Sequence, residues 1–197
     1  TADGVLAVDL SDQSGGQKGA ILYSNNANQV QTTADFIELR FRYVMAQVVI
    51  NLKYDQTTMA NESISTVSSV VLEGTGLYTT CDFHVETGAV TTTLVNGEGT
   101  QARGRIYLQP SVETTQATVV PGTGMVQDLT ITVATAGHTY VAKPTDVIAG
   151  FQAGCQYIYN VTLKGGGEVE IGETTILPWE PGNDATTLPP IVGEQEN

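Results

Sequence analysis

An all-β fold, an antiparallel sandwich with Greek-key connections, is predicted by three observations on this sequence. Apolar and polar residues alternate with period two, glycine-rich turns recur between the alternating runs, and no window of a dozen residues carries a helical apolar stripe. Successive side chains of a strand point to opposite faces, so an alternating run buries one face and wets the other. Composition agrees, because 41% of the 197 residues are hydrophobic and Val, Thr, Ile and Tyr, the types that fit a pleated half-buried surface, recur throughout. A chain of this length holds one large sandwich, or one sandwich and part of a second, rather than two complete domains.

The clearest strand spans 35–53. Ile37, Leu39, Phe41 and Tyr43 alternate with Glu38, Arg40 and Arg42, after which Val44, Ala46, Val48, Ile50 and Leu52 carry the apolar phase. This one-residue phase change near Tyr43 to Met45 predicts a bulge or short break that re-aims the strand, since a slip of one residue sends every side chain to the other face. Later runs at 70–72, 77–83, 105–109, 129–133, 139–141, 157–163 and 169–176 bring the expectation to about seven or eight main strands. Gly74-Thr75-Gly76, Gly97-Glu98-Gly99, Pro121-Gly122-Thr123-Gly124 and Gly165-Gly166-Gly167 punctuate them. On this reading residues 1–34 are a lead-in around the apolar island Ala20 to Tyr23, 35–180 form the sandwich, and 181–197 form a Pro-rich acidic tail with few large apolar residues.

Charge removes whole classes of function. Twenty-one Asp and Glu against eight Lys and Arg give a formal net charge of −13, a field that repels polyanions, so no nucleic acid is expected as a partner. No apolar run approaches the roughly 20 residues needed to span a bilayer. The chain opens at Thr1 without Met, basic n-region or apolar h-region, as expected of a processed or truncated product. Only 15% of residues are charged, which predicts the neutral, hydroxyl-rich surface of an exported β protein. Cys81 and Cys155 fit no zinc or redox spacing. They are either two buried free thiols or a possible disulfide, which would close a long loop and add about 4 kcal/mol.

Residue patterns for catalysis and cofactors are weak. His84 and His138 lie far apart, and two histidines do not assemble a His-rich metal centre. Ser63, Ser65, Ser68, Ser69 and Ser111 occupy no Gly-x-Ser-x-Gly elbow, and Glu168, Glu170 and Glu173 alternate as the outward face of a strand does. Gly165-Gly166-Gly167 lacks the Lys and Ser/Thr of a phosphate loop, while Pro181-Gly182-Asn183-Asp184 misses the spaced carboxylates of a calcium loop. No catalytic, cofactor or metal residue is assigned, and the chain is expected not to be an enzyme.

Three segments, in order, carry a resemblance to a known family. Ala7-Val8-Asp9-Leu10-Ser11-Asp12-Gln13-Ser14 leads to Ala20-Ile21-Leu22-Tyr23-Ser24; Ile37 to Leu52 contains Leu39-Arg40-Phe41-Arg42-Tyr43-Val44-Met45-Ala46-Gln47-Val48-Val49-Ile50-Asn51-Leu52; Phe151-Gln152-Ala153-Gly154-Cys155-Gln156-Tyr157-Ile158-Tyr159-Asn160-Val161-Thr162-Leu163 leads to Ile176-Leu177-Pro178-Trp179-Glu180-Pro181-Gly182. Together they resemble the fimbrillin family of Bacteroidales-type pilus subunits and their accessory adhesins. Tyr43 stands where the family usually has His, and Gln47 and Cys155 where it usually has Lys.

The resemblance implies a transthyretin-like sandwich, no enzymatic activity, and an exported lipoprotein at the cell surface, in the fimbrium or outer membrane. It implies assembly by strand complementation with other pilus subunits, and host or bacterial surface proteins or glycans as adhesion partners. A full member has two sandwich domains. This chain corresponds mostly to the C-terminal one, with any lipid anchor to the membrane lying outside it. The expected assembly segment is Val169, Ile171, Ile176 and Trp179. Val169 and Ile171 alternate with Glu168 and Glu170, and Pro178, unable to donate to a ladder, belongs at an edge. The tail, with only Leu188, Ile191 and Val192 as large apolar residues, reads as a poor donor strand, which favours a tip or accessory position. The alternative is a glycan-binding surface module that stacks sugars on Tyr23, Tyr54, Tyr78 or Tyr107, provided several share one exposed concave face.

Overall fold

Long alternating runs need a partner surface for their apolar faces, and in this chain two sheets supply it to each other. The computed structural model describes residues 4–24, 39–59, 66–92, 103–122, 124–145 and 149–180. The start of the expected strand at 35–38, Ser63, Ser65, the spacer 97–99, Thr123 and the tail 181–197 lie outside the described residues. The early strands are β1 (Val5–Asp9), β2 (Asp12–Gln13), β3 (Leu22–Tyr23), β4 (Arg42–Tyr43) and β5 (Ala46–Tyr54). Next come β6 (Val67–Thr75), β7 (Thr80–His84), β8 (Ala89–Thr91), β9 (Arg103–Leu108) and β10 (Thr114–Val119). β11 (Gln127–Thr135), β12 (Thr139–Ala142), β13 (Cys155–Leu163), β14 (Val169–Ile171) and β15 (Thr175–Pro178) complete the set.

The first large sheet runs β10-β5-β13, and its far edge is shared by β15 and β14, which pair with the first and second halves of β13. Its two central strands are parallel, in register from Gln156 opposite Gln47 to Leu163 opposite Tyr54. The second large sheet runs β12-β11-β6-β9-β2. Ala46, Val48, Ile50 and Leu52 from β5 and Tyr157, Tyr159, Val161 and Leu163 from β13 share one buried cluster with Val70, Leu72, Ile106, Leu108, Ile131 and Val133 of the facing sheet. Each Val, Leu and Ile among them contributes about 1.5–3 kcal/mol on burial, so the interface between the sheets is the main source of stability. The molecule is therefore an all-β, open sandwich, as the alternation predicts.

A second core sits at one end. The small sheets β1-β7-β8 and β3-β4 enclose Leu10, Tyr43, Val44, Met45, Cys81, Phe83, Val120 and Trp179. The anticipated break falls at Val44 and Met45, which form a bend between β4 and β5. Before it, Leu22 pairs with Tyr43 in the small sheet; after it, β5 enters the large one. The phase change thus hands the chain from one core to the other. Cys81 is buried in this second core, whereas Cys155 packs at the margin of the first. Both are free thiols, so no bridge joins the two cores, and burial, with a smaller contribution from the Asp82 carboxylate, pushes the Cys81 thiol up to about 11.

Differences from the sequence reading have local causes. The run 169–176 is two strands, because after a last bond from Gly172 N–H to the Asn160 carbonyl at 3.0 Å the chain leaves the ladder at Glu173 and Thr174, between β14 and β15. β10 was hidden by its hydroxyls: its inward residues are Thr115, Ala117 and Val119, all buried, and the Thr115 hydroxyl satisfies itself on the Gln109 carbonyl at 2.7 Å. On β9, Gly104 is required by sterics, since a Cβ there would lie 1.8 Å from the Leu77 carbonyl oxygen.

On the outer face of the second sheet, Glu73 receives hydrogen bonds from Arg103 and Arg105, and these two donors hold its carboxyl below the ordinary 4.5. A carboxyl with a lowered folded-state value stabilises above its unfolded value and loses that contribution as pH falls through the folded one. The difference in melting temperature between wild type and Glu73→Gln is therefore expected in full above pH 5 and to vanish as the pH drops well below 4.5, as followed by circular dichroism.

Candidate functional site

Where β4, the loop entering β13 and the end of β15 converge, the surface opens into a cleft of about 980 Å³. Its floor is an aromatic pair. The Tyr43 and Trp179 rings stack with centroids 3.7 Å apart and planes 5° from parallel, and both residues are buried. Two backbone bonds set this geometry: Gly154 N–H donates to the Met45 carbonyl at 2.8 Å, and Trp179 N–H to the Gly154 carbonyl at 2.7 Å. The bend of the broken strand is thereby tied to the loop before β13, and that loop to the chain that delivers Trp179.

The loop itself is held rigidly. The Tyr157 hydroxyl accepts from Gln152 N–H at 2.9 Å and donates to the Gly150 carbonyl at 3.3 Å, while Phe151 packs edge-on against the Tyr157 ring at 4.9 Å. Gly150 has φ 113°, and a Cβ there would meet the Gly122 carbonyl oxygen at 2.1 Å; no other residue fits this close approach. At the rim, Phe41 is 51% exposed, and Arg42, Gln152 and Glu180 are exposed beside it.

The two edges of the first large sheet differ in kind. On β10 the edge is capped at Thr118 by a side chain: the fully buried Gln13 amide donates to the Thr118 carbonyl at 2.7 Å and accepts from Thr118 N–H at 2.9 Å. It also donates to the Leu10 carbonyl at 3.1 Å and accepts from Lys18 N–H at 3.2 Å. A carboxamide carries the donor and acceptor of a peptide group, so Gln13 stands in for a neighbouring strand. Asp12 prepares this placement, its carboxylate accepting from Ser14 N–H at 3.0 Å and from the Ser14 hydroxyl at 2.6 Å. Among the described residues the opposite edge has no such cap, and all four residues of β15 are exposed, with Ile176 at 55% and Leu177 at 45%.

The expected assembly residues divide between these features. Val169 and Ile171 are half-buried on β14, Ile176 lies on the exposed β15, and Trp179 is the buried floor of the cleft. The four tyrosines singled out as sugar platforms do not share a face. Tyr23 packs against Phe83 with its hydroxyl on the Glu86 carbonyl, Tyr54 bonds the Val112 carbonyl, Tyr78 packs on the second core, and Tyr107 is exposed on β9. His84 pairs with Thr91, and His138 packs edge-on against Tyr140; Glu170 bridges to Lys164 at 2.6 Å. Among the described residues no group of three or more His, Cys, Asp or Glu is placed to hold a metal.

Comparison with known proteins gives a consistent picture. A family model described as fimbrillin-like matches residues 1–179. Among solved structures, the chain is similar to a candidate cell adhesion protein from Bacteroides uniformis ATCC 8492, at 19% identity and a TM-score of 0.70, covering 90% of this chain and 67% of that one. It is also similar to a candidate cell adhesion protein from Bacteroides ovatus ATCC 8483, at 18% identity and a TM-score of 0.62, covering 91% of this chain and 62% of that one. The chain thus spans about two thirds of the length of these structures, and at such identities the likeness is one of fold. No curated protein matches it.

Proposed function

The chain belongs to the fimbrillin-like family, and on that premise we propose that it is a non-enzymatic subunit of a surface fibre, structural or adhesive, joined to other pilus subunits by β-strand complementation. The observation that carries this reading is the asymmetry of the first large sheet. One edge is capped at Thr118 by the Gln13 amide, and the other ends in β14 and β15 with Ile176 and Leu177 exposed. An edge strand offers a row of N–H and C=O groups to an added strand, and exposed apolar side chains beside it give that strand something to bury. In this proposal the 169–179 segment receives a strand, and the tail beyond 181 is a poor donor, which suits a tip or accessory subunit. The location is extracellular, at the cell surface.

The test is immunogold labelling of surface fibres with an epitope-tagged chain in the source bacterium. Wild type is expected on the fibres, and the double variant Ile176→Asp, Leu177→Asp is expected to fold with an unchanged melting temperature yet to be lost from them. Equal incorporation of the variant, or a wild-type chain that never labels fibres, overturns the reading.

A further inference from the structure

We propose that the cleft floored by Tyr43 and Trp179 is a binding site for a short neutral oligosaccharide, with Phe41 as its stacking surface and Arg42, Gln152 and Glu180 as its hydrogen-bonding groups. This deepens the adhesive side of the function proposed above by giving it a ligand class.

Backbone accounting separates a sugar from a peptide. Four of the N–H groups lining the cleft are already committed: Val44 to the Ile21 carbonyl at 3.1 Å, Gly122 to Phe151 at 3.0 Å, Gly154 to Met45 at 2.8 Å, and Trp179 to Gly154 at 2.7 Å. A peptide adding as a strand reads main-chain groups, and the wall built from Val44, Gly122, Gly154 and Trp179 does not offer that ladder, whereas the facing wall ends in β8, the edge strand of its small sheet. Recognition falls on side chains. The exposed ones are a half-bare aromatic ring and three flat polar groups: a guanidinium, a carboxamide and a carboxylate. A pyranose has the matching chemistry. Its C–H faces pack on an aromatic ring, and its hydroxyls both donate and accept, so each planar polar group finds a partner.

Size and charge narrow the class. Gly88, Gly122, Ala153 and Gly154 line the cleft almost without side chains and leave room for about 980 Å³. That is near the upper end of ligand sites, enough for roughly two or three sugar rings. Arg42 and Glu180 offset each other in charge, and the chain as a whole carries −13, a field that disfavours sialylated or sulfated glycans.

A microarray of neutral, sialylated and sulfated oligosaccharides, probed with the purified chain and followed by calorimetric titration of each retained neutral glycan, tests this site. Retention of at least one neutral glycan is expected, weakened at least tenfold in both Phe41→Ala and Gln152→Ala. Both residues are exposed, so both variants are expected to melt with wild type, and either alone carries the test. Retention of acidic glycans only, retention of none, or binding indifferent to both substitutions overturns the proposal. Fibre labelling of Phe41→Ala, expected at the wild-type level, keeps the two readings apart. A chain that enters fibres but retains no glycan defeats the sugar site alone, and one that retains glycan but never enters fibres defeats assembly alone.

Discussion

Trp179→Ala is expected to cost about 3–5 kcal/mol of folding stability, the range for truncating a large buried aromatic. Trp179 is 3% exposed, and its ring covers the face of Tyr43 at 3.7 Å. Stacked pairs add about 0.5–1.5 kcal/mol beyond area burial, and the loss leaves Tyr43, Val44 and Met45 without their lid. The cleft should lose its floor in the same variant. Urea denaturation measures the cost, and Trp179→Phe, which keeps a ring over Tyr43, is expected to recover about half of it. Ile176→Ala, three residues earlier but 55% exposed, is expected within about 0.5 kcal/mol of wild type. A loss below about 1 kcal/mol in Trp179→Ala would show that the second core stands without its indole.

Gln13→Leu is expected to cost about 3–5 kcal/mol although it replaces a polar residue by an apolar one of similar size. The buried Thr118 N–H and C=O both lose their partner, the bonds to Leu10 and Lys18 go with them, and each orphaned buried group costs about 1–3 kcal/mol. Gln13→Glu makes the cause visible. The carboxylate still accepts from Thr118 N–H, but it cannot donate to the Thr118 carbonyl, and its charge is buried. Burial raises the folded-state value of an acid, so the penalty is absent below its unfolded value near 4.3 and appears as pH rises above it. The deficit of Gln13→Glu in urea denaturation should thus shrink toward pH 4 while that of Gln13→Leu stays constant.

The sandwich was legible because its core strands alternate without interruption, as in Tyr157, Tyr159, Val161 and Leu163 on β13. The bend at Val44 and Met45 was legible for the same reason, since a phase change must be absorbed somewhere. β10 was not, because Thr115 presents a hydroxyl to the core and only Ala117 and Val119 mark the buried face. Gln13 stands in the first of the family-like segments, but its role depends on Thr118, 105 positions later, and no local pattern reports a contact of that separation. The cleft was half legible. Trp179 stood out as part of the expected assembly segment, whereas its partner Tyr43 and the rim residues Phe41 and Gln152 looked like ordinary strand and loop positions until the fold brought them together.

The parallel pairing of β5 with β13 sets a timetable for the chain. Asn51 and Asn160, opposite each other in that ladder, are 109 residues apart in sequence, and contacts of such separation make folding slow, on the millisecond-to-second scale or longer. During synthesis at about 5–20 residues per second, β5 waits about 5–20 s for the strand it pairs with. In that interval Val48 and Ile50 have a sheet partner only in β10, and only once it too has emerged. The central seam of the sandwich therefore closes late, with only the β14 and β15 edge to follow it, and until then the nascent chain depends on staying apart from its neighbours.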